Sequence, residues 1–361
     1  MKNFRWLMAI LLLAGLLVIY FSDVLFSDKI FSFRDLSRYY YPLRLFAFSQ
    51  LKAGSFPFWN PYIGSGHPLF ATVQSVVLYP LSVIYLLSDY NFAFNFFIVF
   101  HIFLGGVFFY LLMRDLKFSH LSGLISAVVF MFSGYLIAVI NLTTTLAAAI
   151  WFPLVFLFYN RALTRGKFIY IVLSAVILGF MFLGGEPTPM YATIVLLAVY
   201  SVVFILKPVS CVIARTPTLR RGTKQSYYKD FLKIFAIFFG MLLILILLFS
   251  FQILPFIELV KLSNRSQSLF SDSTYWSFPL RDVINFIMPF FYGPLHYQGD
   301  TPLRQDWLLL AYLGIIPLIL FFIAVLFRKD SYSSFFKGVF IVGLILIFGR
   351  FTPLYKLFYK F

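Results

Sequence analysis

Charged residues are scarce in this sequence. Only 12% of its 361 residues are Asp, Glu, Lys or Arg, against about 25% in soluble domains. That is too little polar surface to cover one water-soluble domain, let alone the roughly two or three into which so long a chain would divide. Cysteine is nearly absent as well. Cys211 stands alone, which excludes a disulfide framework or a CxxC metal site and leaves an ordinary thiol in the most basic loop. No GxxxxGK[ST] or GxGxxG pattern occurs, so an ATP-driven or nucleotide-sugar-dependent activity is not expected.

What fills the chain is apolar: 61% hydrophobic and 22% aromatic residues. The apolar residues fall in runs of about 20, the length that crosses a hydrocarbon core of about 30 Å. The expected fold is an all-α polytopic membrane protein, one transmembrane domain over 1–361 with eight or nine spans. They are predicted near Trp6–Phe21, Phe92–Met113, Leu121–Ile140, Leu146–Ala162, Phe168–Gly184, Met190–Leu206, Ile234–Ile257, Trp307–Phe327 and Gly338–Gly349. The first lacks a small-residue cleavage site before Asp23 and is read as an uncleaved anchor. Gly105-Gly106 and Ser133-Gly134 are expected to allow close helix packing.

Val73–Leu87 is apolar too, but it is short and carries Gln74 and Pro80, which suits a re-entrant or interfacial segment. Charge decides against a crossing. With this segment non-spanning and the amino terminus inside, the inner loops hold 17 of the 29 basic residues and three acids, +14. The outer loops hold 12 basic and 10 acidic residues, +2. This is the positive-inside bias, and it accounts for the net +16 without nucleic acid. The large segments are then an outer loop 22–91, a basic cytoplasmic loop 207–233 and a second outer loop 258–306.

The first outer loop carries the unusual chemistry. Leu36, Tyr40, Leu43, Ala47 and Leu51 recur at helical spacing among Arg34, Asp35, Arg38 and Arg44. Pro42 is expected to start or kink that helix. Such a helix lies in the headgroup plane, rings inward and charges at the phosphates. Asp35 is flanked by Arg34 and by Arg38 one turn on. It reads either as a surface ion pair or as a carboxylate with cations ready to grip a phosphate.

Further on, Trp59 and Asn60 offer an aromatic plane and an amide of the kind that bind sugars, and His67 sits in a Gly-His-Pro turn. Glu186 in GGEPTP reads as a site acid or as a cap on the next helix. Lys261 and Arg265, four apart on an expected helix face, read as a phosphate clamp or a snorkelling pair.

These pieces resemble a family. RDLSRYYYPLR, GSFPFWNPYIGSGHPLFA and LYPLS, followed by FSGY, WFPLVF, GGEPTPMYA, LPFIELVKLSNRSQS and FGRFTPLY, resemble in order the motifs of YfhO-family proteins, bacterial members of the GT-C class of membrane glycosyltransferases. The resemblance covers nearly the whole chain. It implies transfer of a sugar from a polyprenyl-phosphate-linked donor to an envelope polymer or lipid acceptor outside the bacterial cytoplasmic membrane. Asp35 matches the acid of the first outer loop that GT-C enzymes place at the catalytic centre, as base or as ligand to a divalent cation. Glu186 is the second acid that such a cation would use.

Arg34, Arg38, His67 or Arg265 would neutralise the leaving phosphate. The donor's prenyl tail would lie between spans, in a groove walled by Val73–Leu87. Family members are longer, so further carboxy-terminal spans are expected to be missing here. The competing readings are a transporter or flippase of lipid-linked saccharides and a non-catalytic assembly protein. The first would require ionisable residues at mid-span, where only His101 and Gln252 are polar, and each is expected to bond between helices.

Overall fold

A computed structural model describes residues 2–206, 224–267, 269–275, 277–289, 291 and 312–359. Among these the chain is helix and turn, with one isolated bridge and no strand. The principal helices are α1 (Lys2–Tyr20), α2 (Tyr41–Lys52), α3 (Tyr90–Asp115), α4 (His120–Met131), α5 (Thr143–Ala149) and α6 (Phe152–Arg165). They continue as α7 (Phe168–Leu183), α8 (Pro187–Leu206), α9 (Lys224–Lys261), α10 (Ile315–Phe327) and α11 (Ser331–Ile347).

The helix ends follow local chemistry. Asp89, Ser119 and Asp330 cap α3, α4 and α11 by accepting from backbone N–H groups of the first turn. Pro153 opens α6, and Gly166 closes it in the left-handed region.

Among the described residues five stretches are long and apolar enough to cross a membrane: Tyr90–Asp115, His120–Asn141, Thr143–Arg165, Pro187–Ile205 and Asp230–Lys261. Phe4–Tyr20, Phe168–Leu183, Ile315–Phe327 and Tyr332–Ile347 are shorter apolar helices. On α9, Leu243, Leu247 and Leu254 are 58%, 66% and 65% exposed. Water does not tolerate so continuous an apolar face, and lipid does. The protein is a helical, membrane-embedded one.

Helix packing in lipid relies on close fit rather than on escape from water. α3 packs on α4, α6 on α7, and α7 on α9. At Gly106 a side chain would fall 2.0 Å from the Met131 sulfur, so only glycine lets α3 meet α4 here. α11 joins through the rings of Phe335 and Phe336 against Tyr200 and Phe156. Its flank adds the Tyr332 hydroxyl, which donates to Asn160 as Tyr200 does.

The structure alters several expected boundaries. The ninth run is helical over Ser331–Ile347 rather than 338–349, since Asp330 caps it a full two turns earlier. The eighth begins at Ile315 in the described residues, and its expected start at Trp307 lies outside them. Loop 207–233 is helical from Lys224 as the start of α9; Cys211 and residues 207–223 lie outside the described residues, as do 292–306 of the second large loop.

The segment 73–87 forms no continuous helix. It consists of turns, a 3-10 helix Pro80–Val83 and one helical turn Ile84–Leu87. Phe70 O, Val73 O, Val76 O and Tyr79 O accept in succession from the N–H groups three residues on, which satisfies a non-helical backbone without a sheet. Leu69, Val73, Val76 and Tyr79 are all buried. Irregular backbone is tolerated at membrane depth only when protein surrounds it in this way. The Tyr79 hydroxyl meets His101 Nε2 at 2.8 Å and accepts from Trp151 Nε1 at 2.9 Å. His101 lies well inside α3, roughly 16 Å from its start at 1.5 Å per residue.

Gln252 Nε2 donates to Phe70 O at 2.8 Å. His101 and Gln252 therefore anchor a non-helical loop. They do not bond helix to helix, as the sequence alone led one to expect.

Candidate active site at the loop end of the bundle

The expected helix after Asp35 forms in two parts, a π-helical turn Leu36–Tyr40 and then α2, with Pro42 in its first turn. Proline lacks the N–H that the first turn does not need. Leu36, Tyr40, Leu43 and Ala47 face inward as their spacing predicted, and so does Arg44.

That last placement corrects the expectation of a charge at the headgroups. Arg44 is fully buried, its Nη1 donating to the Tyr85 hydroxyl at 3.0 Å and its guanidinium lying 4.6 Å from the Phe97 ring centre. Tyr40 and Tyr85 complete an aromatic cage. Nε and Nη2 of Arg44 have no hydrogen-bond partner among the described residues. The signal was in the register: residue 44 follows Tyr40 by one helical turn and precedes buried Phe48 by another.

Asp35 precedes the π-helical turn and is half-buried. Among the described residues it forms no ion pair, with Arg34, Arg38 or any other cation. Arg34 before it has φ of 44°, a left-handed conformation that costs a non-glycine residue energy and concentrates at functional sites. Arg34 and Arg38 are both exposed.

Four chain segments distant in sequence converge on the adjacent tyrosines Tyr39 and Tyr40. Burial raises the Tyr40 phenol above its usual range, with the Thr144 hydroxyl (3.1 Å away) and Arg44 opposing and the Glu186 and Asp35 carboxylates adding to the rise. Burial also lifts Tyr39 to about 12, helped by Tyr40, and Arg265 pulls it back. Tyr39 donates to Gln74 of that non-helical loop. Asp35, Glu186 and Arg265 thus share one electrostatic neighbourhood, although 151 and 79 residues separate them along the chain.

The glycines of GGEPTP bring Glu186 there. A side chain at Gly184 would stand 2.9 Å from the Ala148 backbone, and one at Gly185, whose φ is 98°, 2.6 Å from Thr144 and 3.2 Å from Gln74. Glycine alone lets the turn press into α5 and the non-helical loop at Gln74. Glu186 is half-buried, and its Oε1 accepts from the Thr188 N–H at 3.2 Å and from the Thr188 hydroxyl at 2.5 Å. It is therefore a helix cap and also a charge felt by Tyr40 and by Tyr135.

The remaining candidates lie elsewhere or are otherwise engaged. Asn60 is 3% exposed, its backbone pairs both ways with His67 at 2.8 Å, and its Oδ1 accepts from Tyr62 N. Its amide shapes the turn. Trp59 is 54% exposed and its indole lies across Gly66. His67 is half-buried. No bond or ring contact of Trp59, Asn60 or His67 among the described residues reaches Asp35, Glu186 or Arg265.

Lys261 and Arg265 do not share a helix face. α9 ends at Lys261, and Arg265 sits in a separate turn, Asn264–Gln267, where Ser263 Oγ accepts its N–H at 3.3 Å. A serine that bonds the backbone two residues on competes with helix continuation.

Among the described residues no group of three or more His, Cys, Asp or Glu could hold a metal ion. Asp35 and Glu186 are a pair, and magnesium sites often take one or two protein carboxylates and complete the shell with substrate phosphate and water. Comparisons with family models, curated proteins and solved structures find no match for this chain.

Proposed function

We propose that the chain is a membrane glycosyltransferase of the GT-C kind that its motifs resemble, working on the outer face of a bacterial cytoplasmic membrane. The observation that carries this reading is a half-buried Asp35 with no ion-pair partner among the described residues, beside a tyrosine pair that also feels Glu186 and Arg265. A surface ion pair would have neutralised that carboxylate. Left unpaired, it is available as a base.

In the reaction, the acceptor's hydroxyl oxygen bonds to the anomeric carbon of the sugar, and the bond from that carbon to the donor's phosphate oxygen breaks. The hydroxyl proton passes to Asp35. The polyprenyl phosphate leaves with the electron pair, and Arg265, with Arg34 and Arg38, offsets its charge. Should a divalent cation take part, Asp35 and Glu186 are its protein ligands and it supports the same phosphate.

In this reading all the apolar helices span the bilayer, giving nine spans, with the amino terminus in the cytoplasm as the distribution of Lys and Arg favours. The buried polar groups His101, Tyr79 and Trp151 bond to one another, which favours transfer over transport.

The test is Asp35→Asn in the native host, with mass spectrometry of envelope polymers and immunodetection of the protein. Loss of a glycan product at normal protein level supports the reading. An unchanged glycan profile sinks it.

A further inference from the structure

The opposite end of the bundle holds a second feature that the transfer reaction does not use. Between α1, α3 and α6 lies a cavity of about 270 Å³. Its polar wall is Arg114, Lys117, Arg161 and Arg165 with the single carboxylate of Asp115. Asp115 is already committed. It accepts from Arg161 Nε at 2.8 Å and lies 2.7 Å from Arg161 Nη2 and 3.7 Å from Arg165 Nη2. Four cations against one shared carboxylate leave three positive charges in excess. Next to Arg165, Lys233 Nζ comes within 3.2 Å of where a side chain at Gly166 would begin. Nε of Arg114 is buried and has no hydrogen-bond partner among the described residues.

The other wall is apolar, built from Trp6, Leu111, Leu154 and Phe158. A soluble anion has no use for such a wall, whereas the glycerol and first methylenes of a lipid do. Tryptophan at this level is the residue that membranes place at the interface. Cationic pockets between spans with one lipid-facing side are suited to anionic head groups, and the arginine fork matches phosphate oxygens two at a time. We propose that this pocket binds the phosphate of an anionic phospholipid, and that the lipid ties α1, α3 and α6 together at the amino-terminal end of the bundle.

The test uses the full chain purified in detergent and titrated by native mass spectrometry with phosphatidylglycerol, phosphatidylcholine and inorganic phosphate. The expected result is a phosphatidylglycerol adduct at least tenfold tighter than phosphatidylcholine and undisturbed by millimolar phosphate. Lys117→Gln with Arg165→Gln should weaken it tenfold or more, and Arg161 remains to hold Asp115. If that pair fails to fold, Lys117→Gln alone, at an exposed position, should weaken it severalfold. Equal binding of both lipids, or equal phosphatidylglycerol binding by a folded variant, overturns the proposal. Displacement by inorganic phosphate overturns the lipid source and assigns the pocket to a soluble phosphate.

Discussion

Asp115 and Asp35 stand at opposite ends of the same bundle, and the fold treats them differently. Asp115 has a side chain only 7% exposed and is held by two arginines. Asp35 is half-buried and has no ion-pairing cation among the described residues, although Arg34 and Arg38 are its near neighbours in sequence. One acid is spent on structure. The other keeps its charge available at a place where the neighbouring backbone is strained. The same residue type therefore predicts nothing until its partners are known.

That contrast can be broken by exchanging the two carboxylates for amides. Asp35→Asn should lower sugar transfer by about 100-fold or more, the usual weight of a general base, and leave thermal unfolding in detergent unchanged. Asp115→Asn should do the reverse. It leaves Arg161 with a neutral partner in a half-buried site, which costs about 2 kcal/mol, discounted from the figure for fully buried pairs because Arg161 is 27% exposed. Activity per folded molecule should stay within about twofold. Equal loss of activity in both variants would erase the distinction.

A second pair of measurements sharpens it. Tyr79→Phe removes the hydroxyl shared by His101 and Trp151, leaving buried polar groups unmatched at about 1–3 kcal/mol. The expected outcome is a lower unfolding temperature, with transfer reduced only in proportion to the folded fraction. Arg265→Gln should lower transfer about tenfold, equivalent to about 1.4 kcal/mol. Arg265 is exposed, so its loss should leave stability unaltered.

The sequence made some of this arrangement readable. Apolar runs located the helices, because lipid imposes a minimum length and a low charge density on any helix that crosses it. Proline and the period of Leu36, Tyr40, Leu43 and Ala47 located α2 and its inward face. The same period placed Arg44 on that face. It was read by its charge instead, because an uncompensated buried guanidinium is rare and its aromatic cage is assembled from residues about 40 and 50 positions away.

The part played by Tyr40, Thr144 and Gln74 was out of reach for a related reason. Each is an ordinary residue whose significance comes from the press of Gly185 against Thr144 and Gln74. Short periodic patterns carry local structure, and long-range contacts between unremarkable residues leave no local trace. Asn60 shows the converse. Its position in an aromatic, proline-rich loop read as a sugar contact, whereas its amide oxygen serves the turn.

Lys261 provides the finest discrimination. As the partner of Arg265 on one helix face, it would lose transfer activity on substitution about as much as Arg265 does. The break at Leu262 and Ser263 separates the two, leaving Lys261 as the exposed last residue of α9. A cation in the last turn of a helix favours its dipole by about 0.3–1 kcal/mol, and screening reduces that at an exposed site. Lys261→Gln is therefore expected to change stability by no more than about 0.5 kcal/mol and transfer by less than about twofold, against tenfold for Arg265→Gln. Measuring both variants in one assay separates the alternatives, since a shared clamp would give similar losses and the turn Asn264–Gln267 gives unequal ones. If Lys261→Gln fell as far as Arg265→Gln, the turn would be re-formed into helix when donor binds, and α9 would extend over the site as the sequence pattern alone implies.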